Sequence, residues 1–201
     1  MVPILLAAVS LPNGVIGRNN TLPWPKLSAD FGFMNYLTTR KPSALIMGRK
    51  TFESIGRVLP RRTSLVLSSK AAPSIQTSSG SAHFLSSLAE AFSYCSEHAL
   101  QPVIFGGETL YNEVLKTVAC TVYLTAITNE HEGDTYFPLS LLRAPLANIS
   151  EEVLGLLPSV SEKVALTKDG YVVENEIKYG FFKSKHYPAE GLGVPLSELL
   201  L

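Results

Sequence analysis

Short apolar runs recur along the chain, and segments with a helical spacing of apolar residues separate them. The runs are rich in Val, Ile and Leu and read PILLAAV, SALIMG, TSLVLSS, AHFL, PVIFGG and TVYLTAI. Because they are apolar on both faces, they are typical of strands in a mainly parallel sheet that helices cover on each side. The pattern therefore predicts an α/β fold with a mainly parallel central sheet and helices on both faces.

Capping residues mark where the intervening helices begin. Ser28 precedes ADFGFMNYLTTR, and either Ser86 or Ser87 precedes LAEAFSYCSEH. A further helix can follow Gly107 in ETLYNEVLK. These lengths suit crossover connections between parallel strands.

The C-terminal part of the chain carries signals of antiparallel pairing. Asp169 and Gly170 form a turn signal between two extended runs in VALTKDGYVV, and IKYGFFKS predicts a final strand. We therefore expect an antiparallel strand at the C-terminal edge of the sheet. The domain is expected to span residues 1–186, and residues 187–201 are expected to form a tail that lies on the body of the protein rather than an interaction motif.

The first ten residues, MVPILLAAVS, imitate the apolar part of a signal peptide. No Lys or Arg precedes them, and polar loop residues follow directly, so we interpret them as a buried first strand. No stretch approaches the roughly 18 to 20 apolar residues that a membrane span needs. We expect a cytoplasmic protein with no membrane partner.

Composition and charge narrow the choice of function. The chain has 201 residues, 46% hydrophobic and 17% charged, which suits one domain with a sizeable core. The formal net charge is +0, and there is no long basic run or aromatic-basic alternation, so we expect no nucleic-acid partner. Cys95 and Cys120 are expected to be buried free thiols rather than a disulfide. The four histidines, His83, His98, His131 and His186, lack metal-ligand spacing, and we expect no metal site.

Residues suited to a phosphate follow three of the predicted strands. They are Arg49, Lys50 and Thr51 after SALIMG, Ser68, Ser69 and Lys70 in LVLSSK, and Gly106 and Gly107 in VIFGGETLY. Cations and helix N-termini bind anions, paired glycines let a ligand approach the backbone, and the carboxyl ends of parallel strands meet at one edge of a sheet. Each signal alone has an ordinary alternative, a solvated basic turn or a tight turn. Together they favour a dinucleotide with an additional phosphate.

One carboxylate has an apolar setting. Asp30 shares a predicted helix face with Met34 and Leu37 and directly precedes Phe31. A charge on such a face is costly unless it is used or satisfied, which suggests an acid that points into an apolar cleft. The alternative is a first-turn acid that only complements the helix dipole, worth a few tenths of a kcal/mol to about 1 kcal/mol.

Six motifs in this order resemble dihydrofolate reductase, in particular its eukaryotic members, including fungal ones. They read LPWPKLSADF, IMGRKTFESIG, LPRRTSLVLSS, IFGGETLY, VYLTAI and GDTYFP, and they span roughly residues 3–140 with IKYGFF as a final anchor. The resemblance implies a monomer that reduces 7,8-dihydrofolate to tetrahydrofolate with NADPH and supplies one-carbon carriers for thymidylate and purine synthesis. It also implies that antifolates such as methotrexate bind.

The resemblance assigns roles residue by residue. Asp30 matches the active-site acid that pairs with the pterin 2-amino group and ring N3, and Trp24 matches the residue that orders water near this acid. Leu22 matches the residue that packs over the pterin from a mobile lid, residues 14–26, and Thr125 matches a hydroxyl that bonds the acid. Arg62 would hold the glutamate α-carboxylate of the substrate.

The implied binding residues form two sets. The substrate set is Leu6, Ala8, Asp30, Phe31, Met34, Ile55, Leu59, Arg62, Phe105, Tyr111 and Thr125. The NADPH set is Ala8, Ile16, Gly48, Arg49, Lys50, Thr51, Leu67, Ser68, Ser69, Lys70, Phe105, Gly106, Gly107, Glu108, Thr109, Leu110 and Tyr111. The resemblance further implies a cis peptide bond between Gly106 and Gly107.

Two other functions are compatible with a sheet of this type. One is a reductase of the same fold that acts on a pyrimidine precursor of riboflavin, which gives no reason for an acid at Asp30. The other is a nucleotide-binding module without turnover, which gives no reason to combine the acid with the phosphate-type residues.

Overall fold

A 13-stranded sheet organises the residues that the structure, a computed structural model, describes: 1–70, 72–142, 144–157 and 163–186. The strands are β1 (Ile4–Ser10), β2 (Val15–Gly17), β3 (Ser43–Gly48), β4 (Thr63–Leu67), β5 (Ile75–Gln76), β6 (Ser81–Leu85), β7 (Gln101–Gly106), β8 (Cys120–Ile127), β9 (Thr135–Tyr136), β10 (Ala147–Asn148), β11 (Val164–Leu166), β12 (Val172–Glu174) and β13 (Ile177–His186). The helices are α1 (Ser28–Thr39), α2 (Arg49–Ile55), α3 (Leu88–Glu97), α4 (Glu108–Thr117) and α5 (Ser150–Leu156), with a 3-10 turn at Leu139–Leu141. The tail expected at residues 187–201 lies outside the described residues.

The middle of the sheet is parallel and its margins are antiparallel. The main order is β11-β12-β13-β8-β1-β7-β3-β4-β6-β5, in which the strands from β8 to β6 run parallel to their neighbours. At the C-terminal margin β13 pairs antiparallel with β8, and the hairpin of β11 and β12 extends the sheet beyond it. The predicted mainly parallel sheet with an antiparallel C-terminal edge is therefore confirmed, and β13 is covered by that hairpin.

Helices cover both faces of this sheet. On one face α3 and α4 pack over Leu5, Ala7 and Val9 of β1, and on the other face α1 and α5 pack in the cluster that contains Leu6. The alternating side chains of β1 thus enter two separate cores, as expected for a strand that is buried on both sides. The first apolar run is the buried strand that the sequence predicts.

The helix caps differ in part from the prediction. Ser87 caps α3, because its side chain accepts a hydrogen bond from the Glu90 amide at 3.2 Å. Ser28 does not cap α1, because the helix already begins at this residue and Leu27 occupies the cap position in an extended conformation. The first amides of α1 donate instead to Glu174 of β12.

Both cysteines are free and buried, as predicted. Burial raises the pKa of the Cys95 thiol to about 11 and that of the Cys120 thiol to about 12. Within the described residues, no group of three or more His, Cys, Asp and Glu side chains could hold a metal ion. No helix in the same residues is long and apolar enough to cross a membrane.

Candidate active site

Asp30 lies in the first turn of α1, where its carboxylate meets the sheet. The Thr125 hydroxyl on β8 donates a hydrogen bond to Asp30 Oδ1 at 2.6 Å. Thr125 on β8 is paired in register with Ala8 of β1, so Ala8 lies beside the hydroxyl that bonds Asp30. The predicted contact between the acid and this hydroxyl is present.

The surroundings of Asp30 bring its ionisation close to neutral pH. Burial raises the pKa of the carboxyl, the hydrogen bond from Thr125 lowers it, and the nearby charge of Glu174 raises it, with a net value of about 6. A carboxyl with such a pKa changes its charge within the range in which an enzyme works, which is typical of groups that handle protons.

Apolar side chains form a wall beside this acid. The residues that share one core cluster on the α1 face are Leu6, Ala8, Trp24, Met34, Ile55, Leu59 and Phe105. They come from β1, α1, α2, β7 and the loops between them, so distant parts of the chain assemble one apolar cluster. Phe31 is half-buried, and the Lys26 ammonium lies 5.2 Å from the centre of its ring.

Trp24 and Leu22 both belong to the predicted lid, but Trp24 is buried and Leu22 is exposed. Trp24 is only 4% exposed and meets the His131 ring edge to face, with 5.5 Å between ring centres. Leu22 is 43% exposed. The sequence did not predict the contact between Trp24 and His131, because no motif surrounds this histidine.

Arg62 is a buried cation held by neutral groups. It is 6% exposed, and its guanidinium donates to Thr38 Oγ1 at 2.7 Å and to the Pro60 carbonyl at 3.0 Å. Burial lowers the pKa of Arg62, as do the charges of Arg61 and Arg57. None of the ion pairs within the described residues involves Arg62.

The glycine pair meets the start of α2 at the carboxyl ends of β3 and β7. A Cβ added at Gly48 would lie 4.0 Å from the Gly106 carbonyl oxygen, and one added at Gly107 would lie 3.2 Å from Thr51 Oγ1. Gly106 has a φ of +109°, and the peptide bond to Gly107 is cis, as the resemblance implies. Gly48 and Gly107 therefore carry no Cβ where the two strand ends meet, which favours close approach by a ligand.

Cations and hydroxyls lie around this backbone. Arg49, Lys50, Ser69 and Lys70 are exposed, and Arg49 Nε bonds the Glu53 carboxylate at 2.7 Å. The Ser68 hydroxyl accepts from the Lys70 amide at 3.1 Å, which orders the turn after β4. Arg49 and Lys50 are the first two residues of α2.

Residues 3–149 match the family model described as dihydrofolate reductase. This chain belongs to the dihydrofolate reductase family. The dihydrofolate reductase of Haemophilus influenzae is 42% identical over 134 residues, which cover 67% of this chain and 77% of the relative. Those of Staphylococcus haemolyticus and Bacillus subtilis are each 37% identical and cover 62% and 63% of this chain and 70% of each relative. The chain is therefore an oxidoreductase of folate metabolism that reduces dihydrofolate.

These relatives are bacterial proteins, and they give no support to the eukaryotic and fungal subgroup that the sequence suggested. The match to the dihydrofolate reductase family also separates this chain from the two alternative functions, the pyrimidine reductase and the nucleotide-binding module without turnover.

Several residues of the predicted NADPH set pack away from the acid, in the core on the α4 face. They are Ile16, Leu67, Leu110 and Tyr111. Tyr111 also belongs to the predicted substrate set, but it is buried on this opposite face and its hydroxyl donates to the Leu6 carbonyl at 2.7 Å. A Cβ at Gly106 would lie 2.9 Å from that hydroxyl, so Tyr111 supports the glycine turn from behind and does not line the cleft of Asp30.

Two further residues of the NADPH set, Glu108 and Thr109, begin α4. The Glu108 carboxylate accepts a hydrogen bond from the Tyr136 amide at 2.9 Å, which ties the start of α4 to β9. Thr109 is exposed.

Glu174 is a further residue at this site that the sequence did not indicate. It is 3% exposed and lies on β12, beyond the segment that the dihydrofolate reductase model matches. A lone Glu near a hairpin carries no motif, and its contact with α1 joins residues 146 positions apart.

Proposed function

We propose that this enzyme uses NADPH and that Asp30 is the acid that orients the dihydropterin ring of its substrate. The observation that carries the proposal is the Asp30 carboxylate, fixed by Thr125 at 2.6 Å beside an apolar wall. When bound, NADPH supplies the hydride that is added at C6 of the pterin, while N5 acquires a proton and tetrahydrofolate results.

Asp30 in its ionised form would pair with the pterin 2-amino group and ring N3. As positive charge develops on the ring, this pairing strengthens, which lowers the energy of the transition state more than that of the bound substrate. A pKa of about 6 for Asp30 keeps the carboxyl mostly ionised at neutral pH. The ring N5 lies beyond the reach of this carboxylate, so a water ordered near Trp24 would relay the proton.

The tail of the substrate would be held by Arg62. Its guanidinium is fixed by Thr38 and Pro60, so little conformational entropy is lost when it grips the glutamate α-carboxylate. The apolar residues of the cleft, namely Leu6, Ala8, Phe31, Met34, Ile55, Leu59 and Phe105, would line the pterin and benzoyl rings.

The edge formed by β3, β4 and β7 suits the cofactor. The backbone at Gly48 and Gly107 carries no Cβ and leaves room for a pyrophosphate. The residues that would meet the phosphates are Arg49, Lys50, Thr51, Ser68, Ser69 and Lys70. Ser68, Ser69, Arg49 and Lys70 would favour NADPH over NADH by contacting the 2′-phosphate.

The lid, residues 14–26, would close over the reacting rings. Leu22 is 43% exposed and Trp24 is buried, so one end of the lid is anchored while the side chain that would cover the pterin faces solvent. Closure would move Leu22 onto the rings and exclude water during transfer.

The proposal includes a monomer in the cytoplasm that binds methotrexate in place of dihydrofolate. It also treats residues 1–186 as the reductase domain and residues 187–201 as a tail. Size-exclusion chromatography with light scattering measures the oligomeric state, and a chain that ends at residue 186 tests whether the tail is needed for activity.

The first experiment follows NADPH absorbance after dihydrofolate is mixed with the wild type, Asp30→Asn or the matched surface variant Asp169→Asn. Methotrexate-sensitive oxidation by the wild type and Asp169→Asn, with most turnover lost in Asp30→Asn, supports the proposal. Asp30→Asn should still bind NADPH and should recover part of its rate in acid, where the substrate is protonated beforehand. Wild-type turnover in Asp30→Asn at neutral pH, or no oxidation by a wild type that binds NADPH, overturns the assignment.

A further inference from the structure

Glu174 is a buried carboxylate that accepts hydrogen bonds from the start of α1 and from β13. Glu174 accepts hydrogen bonds from the Ser28 amide at 2.7 Å, from the Ala29 amide at 3.4 Å and from the Tyr179 hydroxyl at 2.8 Å. Ser28 and Ala29 are the two residues that directly precede Asp30. The position of the catalytic acid is therefore tied to a strand far away in the sequence.

Glu174 supplies the cap that α1 lacks locally. The first amides of a helix have no partner within the helix, and Leu27 at the cap position has no side-chain acceptor. A carboxylate is also the favoured charge at a helix N-terminus because of the helix dipole. The 12-residue helix that carries Asp30 is thus oriented by an anion from β12.

The hydrogen bonds keep Glu174 ionised while its charge acts on Asp30. Burial raises the pKa of Glu174, but the hydrogen bonds from Ser28, Tyr179 and Ala29 outweigh burial and lower it overall. The titratable groups that face Glu174 from the packed elements of the described chain are Asp30 on α1 and Tyr179 on β13. Its negative charge in turn raises the pKa of Asp30.

We propose that Glu174 is the positioning residue of the catalytic acid: its ionised carboxylate fixes the first turn of α1 and places a negative charge beside Asp30 and the bound pterin. The inference rests on the proposed role of Asp30. Two carboxylates thus divide the work, since one stays charged and fixed by donors while the other exchanges its charge near neutral pH.

The deciding variant is Glu174→Gln, which keeps the shape and an acceptor oxygen but removes the charge. Loss of a neighbouring negative charge weakens proton binding at the bound pterin, so the fall of kcat at alkaline pH moves to lower pH by about half a pH unit. Glu152 is an exposed carboxylate of α5, and Glu152→Gln is the matched control that should leave the pH dependence of kcat unchanged. An unchanged pH dependence of kcat in Glu174→Gln, with only a lower melting temperature, would reduce Glu174 to a helix cap and overturn the proposal.

A second measurement needs neither turnover nor a variant. Carbon-13 NMR of the carboxyl groups in the wild-type protein without ligand should show Asp30 titrating near pH 6 and Glu174 ionised throughout that titration. A protonated Glu174 at neutral pH overturns the proposal even if Glu174→Gln does not fold. Because no substrate is present, this result also separates failure of the inference from failure of the proposed function, which the NADPH assay reports.

Discussion

Thr125 and Asp30, 95 positions apart in sequence, form a hydrogen bond of 2.6 Å between hydroxyl and carboxylate. Such a bond favours the ionised acid, whereas burial and the charge of Glu174 favour the protonated one. The pKa of about 6 is the balance of these effects, and each can be changed separately.

Thr125→Val removes the donor while keeping the side-chain size. The pKa of Asp30 should rise above about 6, by about one unit for the loss of a hydrogen bond to a charged group. The carbon-13 titration of Asp30 in the protein without ligand should show this rise, which is opposite in direction to the change in Asp30 expected for Glu174→Gln. Thr121→Val on the same strand is the control, and an unchanged titration of Asp30 in Thr125→Val would contradict the role of this hydroxyl.

Asp30→Asn should stabilise the folded protein at neutral pH. The folded-state pKa of Asp30 is raised from 3.8 to about 6, so ionisation costs the folded state free energy that accumulates as the pH rises between these values. At pH 7 the variant should be more stable by about 2 kcal/mol, after an allowance for partial exposure. At pH 4, where the wild-type carboxyl is mostly protonated in the folded state, the gain should largely disappear.

Urea unfolding of both proteins at the two pH values measures this difference. An equal gain at pH 4 and pH 7 would mean that the asparagine acts through packing and not through charge. A loss of stability at pH 7 would mean that the Asp30 carboxylate is better satisfied than its surroundings indicate.

Arg62→Lys should weaken substrate binding with little effect on kcat. Lysine keeps the positive charge but loses the planar pair of donors that matches a carboxylate, so KM for dihydrofolate should rise about tenfold. Arg61→Lys, at the exposed neighbouring position, is the control. A pterin substrate without the glutamate tail should show equal KM for the wild type and Arg62→Lys, and an increase there would argue against a contact with the tail.

Gly106→Ala should destabilise the protein and weaken NADPH binding. The φ of +109° is unfavourable for any side chain, and the added Cβ would lie 2.9 Å from the Tyr111 hydroxyl. A loss of about 2 to 3 kcal/mol in the free energy of unfolding is expected. Gly155→Ala in α5, where no atom lies within 4 Å of an added Cβ, should instead be neutral or stabilising. NADPH fluorescence titration and urea unfolding measure both effects.

Much of this fold follows from local patterns. The run SALIMG is β3 residue for residue, and the turn at Asp169 and Gly170 connects β11 and β12 as predicted. These succeed because burial on both faces and turn chemistry are properties of neighbouring residues. The cap at Ser28 was wrong because the extended conformation of Leu27 places the start of the helix one residue earlier, which only the tertiary setting decides.

The candidate site was predictable where a motif and a strand end coincide. Asp30 and Thr125 come together as expected, and the alternation of β1 puts Leu6 and Ala8 on the same side. Tyr111 could not be oriented from sequence, since helix periodicity shows that a face is buried but not which side of the sheet it meets. Arg62 with Thr38 and Glu174 with α1 depend on long-range packing that leaves no local signal.

Glu174 and the α1 amide that it accepts from are 146 residues apart, so this contact can form only after both segments have been synthesised. The ribosome releases the segment that forms α1 long before β12, so a nascent chain carries Asp30 on a helix whose first amides still lack their acceptor. With the roles proposed for Asp30 and Glu174, the site is complete only when the hairpin of β11 and β12 docks. On this proposal, the contact that positions Asp30 forms only after most strands of the sheet have been synthesised.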